Sequence, residues 1–338
     1  MGYEVSHQNM EKVFQVWKKQ YRIYAPKVYN QKGRFSDTDC IRYGEVYNFD
    51  EIVFDKKSEF SYKEVIVPVV ETLFYFTENQ VTIPDIPQKK AMIFLRSCDL
   101  HALKRLDHMY LENGQEDPYY KRLREGTVFV LIGCHHSFEN CFCVSMNTNI
   151  STDYDLSIDI YDDYCLLDSQ NEILSQSLEE HFDSLREVKP SFVVENKVKV
   201  KIPSHLTSAV AKSTMWDEYN SRCINCGRCN FVCPTCTCFT MQDIFYQDNG
   251  KTGERRRVWA SCMVDGYTDV AGGGCYRKKN GERMRFKVLH KVLDYKNRTG
   301  VHMCVGCGRC DDICPEYISF SNCINKLEDA MNEVNKYE

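Results

Sequence analysis

Eight cysteines in the second half of the chain stand at a spacing that can hold iron–sulfur clusters. Cys223, Cys226, Cys229 and Cys233 lie in CINCGRCNFVCP, and Cys304, Cys307, Cys310 and Cys314 in CVGCGRCDDICP. Each is the C-x-x-C-x-x-C-x-x-x-C-P run of two-cluster ferredoxins. Three thiolates two residues apart let one loop wrap three corners of an iron–sulfur cube. Gly227 and Gly308 let the backbone come close, and Pro234 and Pro315 turn the chain away after the last ligand. In such runs the fourth cysteine serves the other cluster. The expected sets are therefore Cys223, Cys226, Cys229 and Cys314 for one 4Fe-4S cluster, and Cys304, Cys307, Cys310 and Cys233 for the other. Structural zinc pairs two C-x-x-C knuckles and does not need two four-cysteine runs closed by proline. Cys229, Cys233 and Cys236 also fit the C-x-x-x-C-x-x-C pattern of radical enzymes, but the duplicated run accounts for them better.

A second constellation lies nearer the N-terminus. Cys98 stands in RSCDLHAL, and Cys134, Cys141 and Cys143 in CHHSFENCFC. This is not a ferredoxin spacing. Four such cysteines could hold a third 4Fe-4S cluster, or zinc with His135 or His136 replacing one ligand, or they could be reduced core thiols. The other seven cysteines, Cys40, Cys165, Cys236, Cys238, Cys262, Cys275 and Cys323, read mostly as small buried hydrophobes.

The elements that must position these residues follow from the apolar pattern. AMIFLR (91–96) is a buried strand leading to Cys98 and a helical stretch from Leu100 to Leu111. TVFVLIG (127–133) is a second buried strand ending at Cys134. In open α/β sheets, sites gather beyond the carboxyl ends of strands, which is where both cysteines fall. Met10, Val13, Phe14, Trp17 and Tyr21 recur at helical spacing until Pro26. Residues 46–54 and 64–76, and later YDLSIDIY and FVVENKVKVKI within 153–205, read as strands. The 70 residues between Cys233 and Cys304 are expected to be mainly helical. Ile324, Leu327, Met331 and Val334 mark a final packed helix. The fold expected is α+β: an N-terminal α/β domain with a mixed sheet over residues 1–205, then a helical ferredoxin-like domain with two clusters over 206–338.

The whole chain carries 43 Lys and Arg against 48 Asp and Glu, which gives no case for nucleic acid. Residues 251–310 are locally basic, with 14 Lys and Arg against 5 acids. They could dock an acidic partner, or simply offset anionic clusters. Glu4, His7 and Glu11 interrupt any signal-like run, and no stretch of 18 apolar residues suggests a membrane span, so a cytoplasmic protein is expected. AGGGC (271–275) lacks the Lys-Ser/Thr of a phosphate loop, and no dinucleotide fingerprint exists.

Several segments resemble the iron–sulfur subunit family of anaerobic sulfite reductases: GRFSDTDCIRYGEV (33–46), RSCDLHALKRLD (96–107), DPYYKRLRE (117–125), CHHSFENCFCVSMNT (134–148) and CINCGRCNFVCPTCTCF (223–239) with its distant partner run. The related β subunit of soluble NAD(P)-linked sulfhydrogenases shares the 96–145 segment and the C-terminal pattern. The resemblance implies a non-catalytic iron–sulfur subunit of an anaerobic, cytoplasmic oxidoreductase complex. It would relay single electrons from a flavin subunit that oxidises NADH to a sirohaem subunit that reduces sulfite to sulfide. The resemblance also implies that Cys98, Cys134, Cys141 and Cys143 hold a third cluster. The alternative placement is the β subunit of a hydrogenase or sulfhydrogenase.

Overall fold

A computed structural model describes residues 2–85 and 89–336. Its largest element is a mixed eight-stranded sheet. The strands are β1 (Gly2–Ser6), β2 (Tyr21–Tyr29), β3 (Cys40–Glu45), β6 (Lys90–Leu95), β7 (Val128–Ile132), β8 (Leu156–Ile160), β9 (Tyr164–Ser169) and β10 (Ser184–Arg186). Two further N-terminal strands, β4 (Val70–Phe76) and β5 (Val81–Thr82), belong to another sheet. The spatial order is β10-β1-β9-β8-β7-β6-β2-β3, with β2, β6, β7 and β8 parallel at the centre.

The central strands are apolar on both faces because both faces are covered. Met92, Phe94, Val128, Val130 and Ile132 face one core with Met10, Val13, Phe14 and Trp17 of the helix His7–Gln20. Ile93, Leu95, Phe129 and Leu131 face the other, with Leu100, Leu103 and Leu106 of the helix Ser97–Asp107. Each such fully buried side chain contributes about 1.5–3 kcal/mol of hydrophobic stabilisation. Trp17 also donates its indole N–H to Ser177 at 2.7 Å, which fixes the first helix on the helix Glu172–Glu179.

The second sheet joins sequence-distant pieces. Strands β11 (Phe239–Phe245) and β12 (Gly253–Trp259) form a hairpin, and β12 pairs antiparallel with β4. The sheet is β11-β12-β4-β5. The interval between the two ferredoxin runs is therefore not mainly helical before residue 280, contrary to the sequence expectation. Its helices are Asn280–Leu289 and Tyr295–Thr299, joined by a wider helical turn over His290–Asp294. The reason is the partner: β4 offers an edge that the arginine-rich β12 fills, and Arg257 reaches Glu71 at 2.6 Å.

Two other strand expectations fail. Residues 46–54 hold a 3-10 turn, Phe49–Glu51, and the strand lies earlier, at β3. Residues 192–202 have no ladder partner, because Val198, Val200 and Ile202 pack on the C-terminal core instead. Residues 64–76 split into a short helix, Lys63–Ile66, and β4. The chain ends in the helices Phe320–Asn325 and Leu327–Asn335, with Leu327, Met331 and Val334 buried as the pattern requires. Among the described residues no helix is long and apolar enough to cross a membrane.

Candidate iron–sulfur sites

The two ferredoxin runs fold alike. Asn225 and Gly306 occupy the same place in each and both take the left-handed conformation, φ 57° and 65°. Gly227 and Gly308 follow at φ 72° and 71°, each opening a short helix, Arg228–Phe231 or Arg309–Ile313. The loops wrap cysteine-lined cavities. Cys223, Cys226, Cys229 and Cys314 line the first, with Cys310 at its inner wall. Cys233, Cys304, Cys307 and Cys310 line the second, with Cys229 beside them. The fourth cysteine of each run thus lines the other run's cavity.

The N-terminal cysteines also come together. Cys98 follows β6 and Cys134 follows β7, and these strands are parallel neighbours, so their carboxyl ends lie side by side. The loop after Cys134 folds back and adds Cys141 and Cys143, and all four line a third cavity. Its wall includes a residue the sequence did not assign there, Cys307 of the second run. The backbone N–H of Phe142 donates to the carbonyl of Gly306 at 2.8 Å. A Cβ on Gly308 would stand 2.2 Å from the Asn140 carbonyl oxygen, so only glycine permits that approach. The irregular segment after Ser191 braces the loop: Asn196 accepts from the Val144 amide at 2.8 Å and donates to Ser137 at 2.8 Å.

Buried cations surround these cavities. Lys287 and Lys291 are each 3 % exposed. The sulfurs of Cys229 and Cys310 hold the Lys287 charge, offsetting the cost of its burial. Lys291 donates to the Thr235 carbonyl at 3.1 Å and lies beside Cys233, Cys236 and Cys304. Around the third cavity, Lys57 reaches Asp312 at 2.5 Å, the Cys307 carbonyl at 3.2 Å and the Cys141 sulfur at 3.8 Å. Arg96 lies 3.4 Å from the Cys134 sulfur. Arg309, in the wall of the third cavity, makes a two-pronged pair with Asp99, 2.7 and 2.9 Å. None of these cations stands out in the sequence, since their partners lie as far as 255 positions away, as Lys57 and Asp312 do.

Burial acts on the thiols in the opposite sense. It pushes Cys143 and Cys304 up to about 12, Cys307 to about 11, and Cys98 and Cys310 well above the ordinary thiol range. Anionic sulfur is tolerated there only with a metal or cation against it. Among the described residues no three Cys, His, Asp or Glu side chains are gathered as for a single metal ion. The cysteines ring a space instead, which suits a cube with four corners. His135 leans away from the third cavity onto Asp159, 3.3 Å, and Tyr161, while His136 lies at its rim.

Residues 222–318 match the family described as a 4Fe-4S dicluster domain. The chain is also 28% identical over 325 residues to the Sulfhydrogenase 2 subunit beta of Pyrococcus furiosus, and the match covers 92% of this chain and 93% of that protein. No solved structure matches. The likeness supports the relation to sulfhydrogenase β subunits and lends nothing to the sulfite reductase name.

Proposed function

We propose that this chain is the iron–sulfur electron-transfer subunit of a soluble NAD(P)-linked hydrogenase or sulfhydrogenase complex. The two C-terminal quartets and Cys98, Cys134, Cys141 and Cys143 would each hold one 4Fe-4S cluster. Such clusters pass one electron at a time, so they link a flavin that takes hydride to a centre that uses single electrons. The observation that carries the reading is the shared walls of the cavities. Cys229, Lys287 and Cys310 line both the first and the second, and Cys307 lines both the second and the third. The second therefore stands between the other two.

The chain's own residues would hold the sulfurs and set the charge around them. Lys287 sits against the first pair of cavities, Lys291 against the second, and Lys57, Arg96 and Arg309 against the third. Both ends of the series reach solvent. Cys226 is exposed at the first, and His136 is exposed at the third, whereas Cys307 in the middle is buried. Partner subunits at the two ends would meet the outer sites without reaching the inner one. Placement in a sulfite reductase rests on the segments at 33–46, 96–107, 117–125 and 134–148, and its partners would be a flavin subunit and a sirohaem subunit.

Anaerobic purification from the native host separates these readings. The expected companions are an NAD(P)H-oxidising flavin subunit and a hydrogen-activating subunit. A co-purifying sirohaem subunit would replace the hydrogenase placement by the sulfite reductase one. Stoichiometric zinc without acid-labile sulfide would sink both.

A further inference from the structure

Five cysteines of the C-terminal part lie outside the quartets: Cys236, Cys238, Cys262, Cys275 and Cys323. Cys238 stands just before β11 and Cys262 shortly after β12, so the hairpin brings them to its same end. There the Ala260 amide donates to the Cys238 carbonyl at 2.9 Å. The two side chains are neighbours, and the Tyr267 hydroxyl beside them donates to the Phe239 carbonyl at 3.4 Å. Cys262 is buried, whereas Cys238 is only partly so.

This pair is linked to both C-terminal sites through intervening residues. Asn230, 1 % exposed, donates its amide to the Cys262 sulfur at 3.1 Å. The carbonyl end of the same side chain lies 4.0 Å from the sulfur of Cys229, in the first quartet. On the other side Cys236, two residues from Cys238, donates its backbone N–H to the carbonyl of Cys233 of the second quartet at 3.4 Å. A thiol sulfur is a weak acceptor, so committing a buried carboxamide to one is poor use of a polar group unless the sulfur becomes charged or reacts. Cysteines serving as small hydrophobes have no need of it.

We propose that Cys238 and Cys262 form a redox-active dithiol–disulfide pair coupled to the first and second cluster sites. The proposal rests on the reading that the two runs hold 4Fe-4S clusters. On oxidation the two S–H bonds break and one S–S bond forms. Two protons leave to water past Cys238, and the two electrons would go one each to the 4Fe-4S clusters that the two C-terminal quartets would hold. Reduction runs the reverse course. A two-electron group thereby stands beside two one-electron carriers, and can store a pair that the carriers deliver singly. The contact with Cys262 also holds the Cys238 thiol below its ordinary range, which favours the thiolate as the attacking sulfur.

The test uses the full chain, purified anaerobically and assayed for iron and labile sulfide. It is equilibrated in dithiothreitol redox buffers of graded potential, alkylated, and digested for peptide mass spectrometry. The expected result is one transition in which Cys238 and Cys262 together pass from doubly alkylated to disulfide-linked, with iron and sulfide unchanged. Two equivalents of reduced methyl viologen, a one-electron donor, should then reopen the bond. Cys262→Ser should abolish the transition and leave Cys238 alkylated throughout, at full iron. Thiols that stay free at every potential with full iron would overturn the pair, as would a disulfide that viologen cannot reopen or a transition that survives Cys262→Ser. A preparation lacking iron and sulfide would instead sink the cluster reading, a separate outcome of the same assay.

Discussion

Cys223, Cys226 and Cys229 come from seven consecutive residues, whereas Cys98 and Cys134 are brought together from the ends of two strands. The first arrangement is local: a loop with two left-handed residues bends around its own site. The second depends on a sheet register, a returning loop and a wall borrowed from the second run. A local site tolerates change elsewhere in the fold. A site assembled at the ends of two central strands inherits every weakness of the elements that meet there. The largest expected contrast is between Cys226→Ala and Cys307→Ala. Cys226 is exposed at one end of the series, so its loss should cost only its own cluster, about four of about twelve iron. Cys307 serves the second site and walls the third, so its loss should leave about four iron. Iron and sulfide analysis of the two variants checks this, and equal losses would break the proposed coupling of the inner sites.

The contact between the two regions also carries a buried ion pair. Asp99, fully buried at the start of the helix after β6, pairs with Arg309 beside the second quartet. Asp99→Asn leaves the guanidinium buried without its counter-charge, and should cost about 3–5 kcal/mol. The exposed pair Arg255–Asp243 on the hairpin, 2.7 Å, gives the control: solvent screens it, so Asp243→Asn should leave stability almost unchanged. Anaerobic denaturant unfolding with constant iron content measures both. Similar costs would mean that the Asp99–Arg309 contact does not hold the N-terminal site to the dicluster part.

The same contrast explains what the sequence disclosed. The ferredoxin runs announce themselves because their ligands are neighbours. β6 and β7 were legible because both faces of each are covered, leaving unbroken apolar runs, and so the meeting of Cys98 with Cys134 could be anticipated. β2 was missed because Pro26 interrupts it, yet that proline sits where β2 pairs with β3 rather than with β6. The hairpin was missed because β11 is almost wholly exposed and β12 is rich in arginine, so neither shows an apolar face, and their partner β4 lies far upstream. Residues 192–202 alternate like a strand, but the alternation reflects packing on the helices near Asn325, which donates to the Lys199 carbonyl at 3.0 Å. The cations at the third cavity, and Cys307 in its wall, arise from contacts that no local pattern encodes.

Equivalent glycines of the two runs sharpen the comparison at smaller cost. Gly227 and Gly308 share a left-handed backbone, so alanine at either should cost about 1–2 kcal/mol from conformation alone. Their surroundings differ. A Cβ at Gly227 meets the Val264 side chain at 2.7 Å, which can rotate, whereas at Gly308 it meets the Asn140 carbonyl at 2.2 Å. Gly308→Ala should therefore cost about 1–3 kcal/mol more than Gly227→Ala. It should also loosen the third site, visible as earlier iron release on mild heating. Equal stability of the two variants would show that the loop 140–143 yields freely.

The smallest expected effect concerns the histidines beside Cys134, and it decides what the third quartet holds. His135 lies against Asp159 at 3.3 Å with its ring edge toward Tyr161, and its side chain is 39 % exposed. Asp159 is buried and also accepts from the Ser191 amide at 3.0 Å, so it keeps a partner when the ring is removed, and His135→Ala should leave metal content intact. His136 stands at the cavity rim beside Cys134 and Phe138. Four cysteines suffice for a 4Fe-4S cluster, so His136→Ala should keep iron and labile sulfide unchanged while altering only the local surface. A zinc site built from three of these cysteines and His136 would behave otherwise: the variant would lose one metal per chain and no sulfide. Cys98→Ala supplies the counterpart. Under the cluster reading it removes about four iron and four sulfide, and under the zinc reading it removes one zinc and neither of those. The two variants measured together assign the ligand set at the two strand ends, because a histidine ligand and a cysteine-only quartet give opposite patterns.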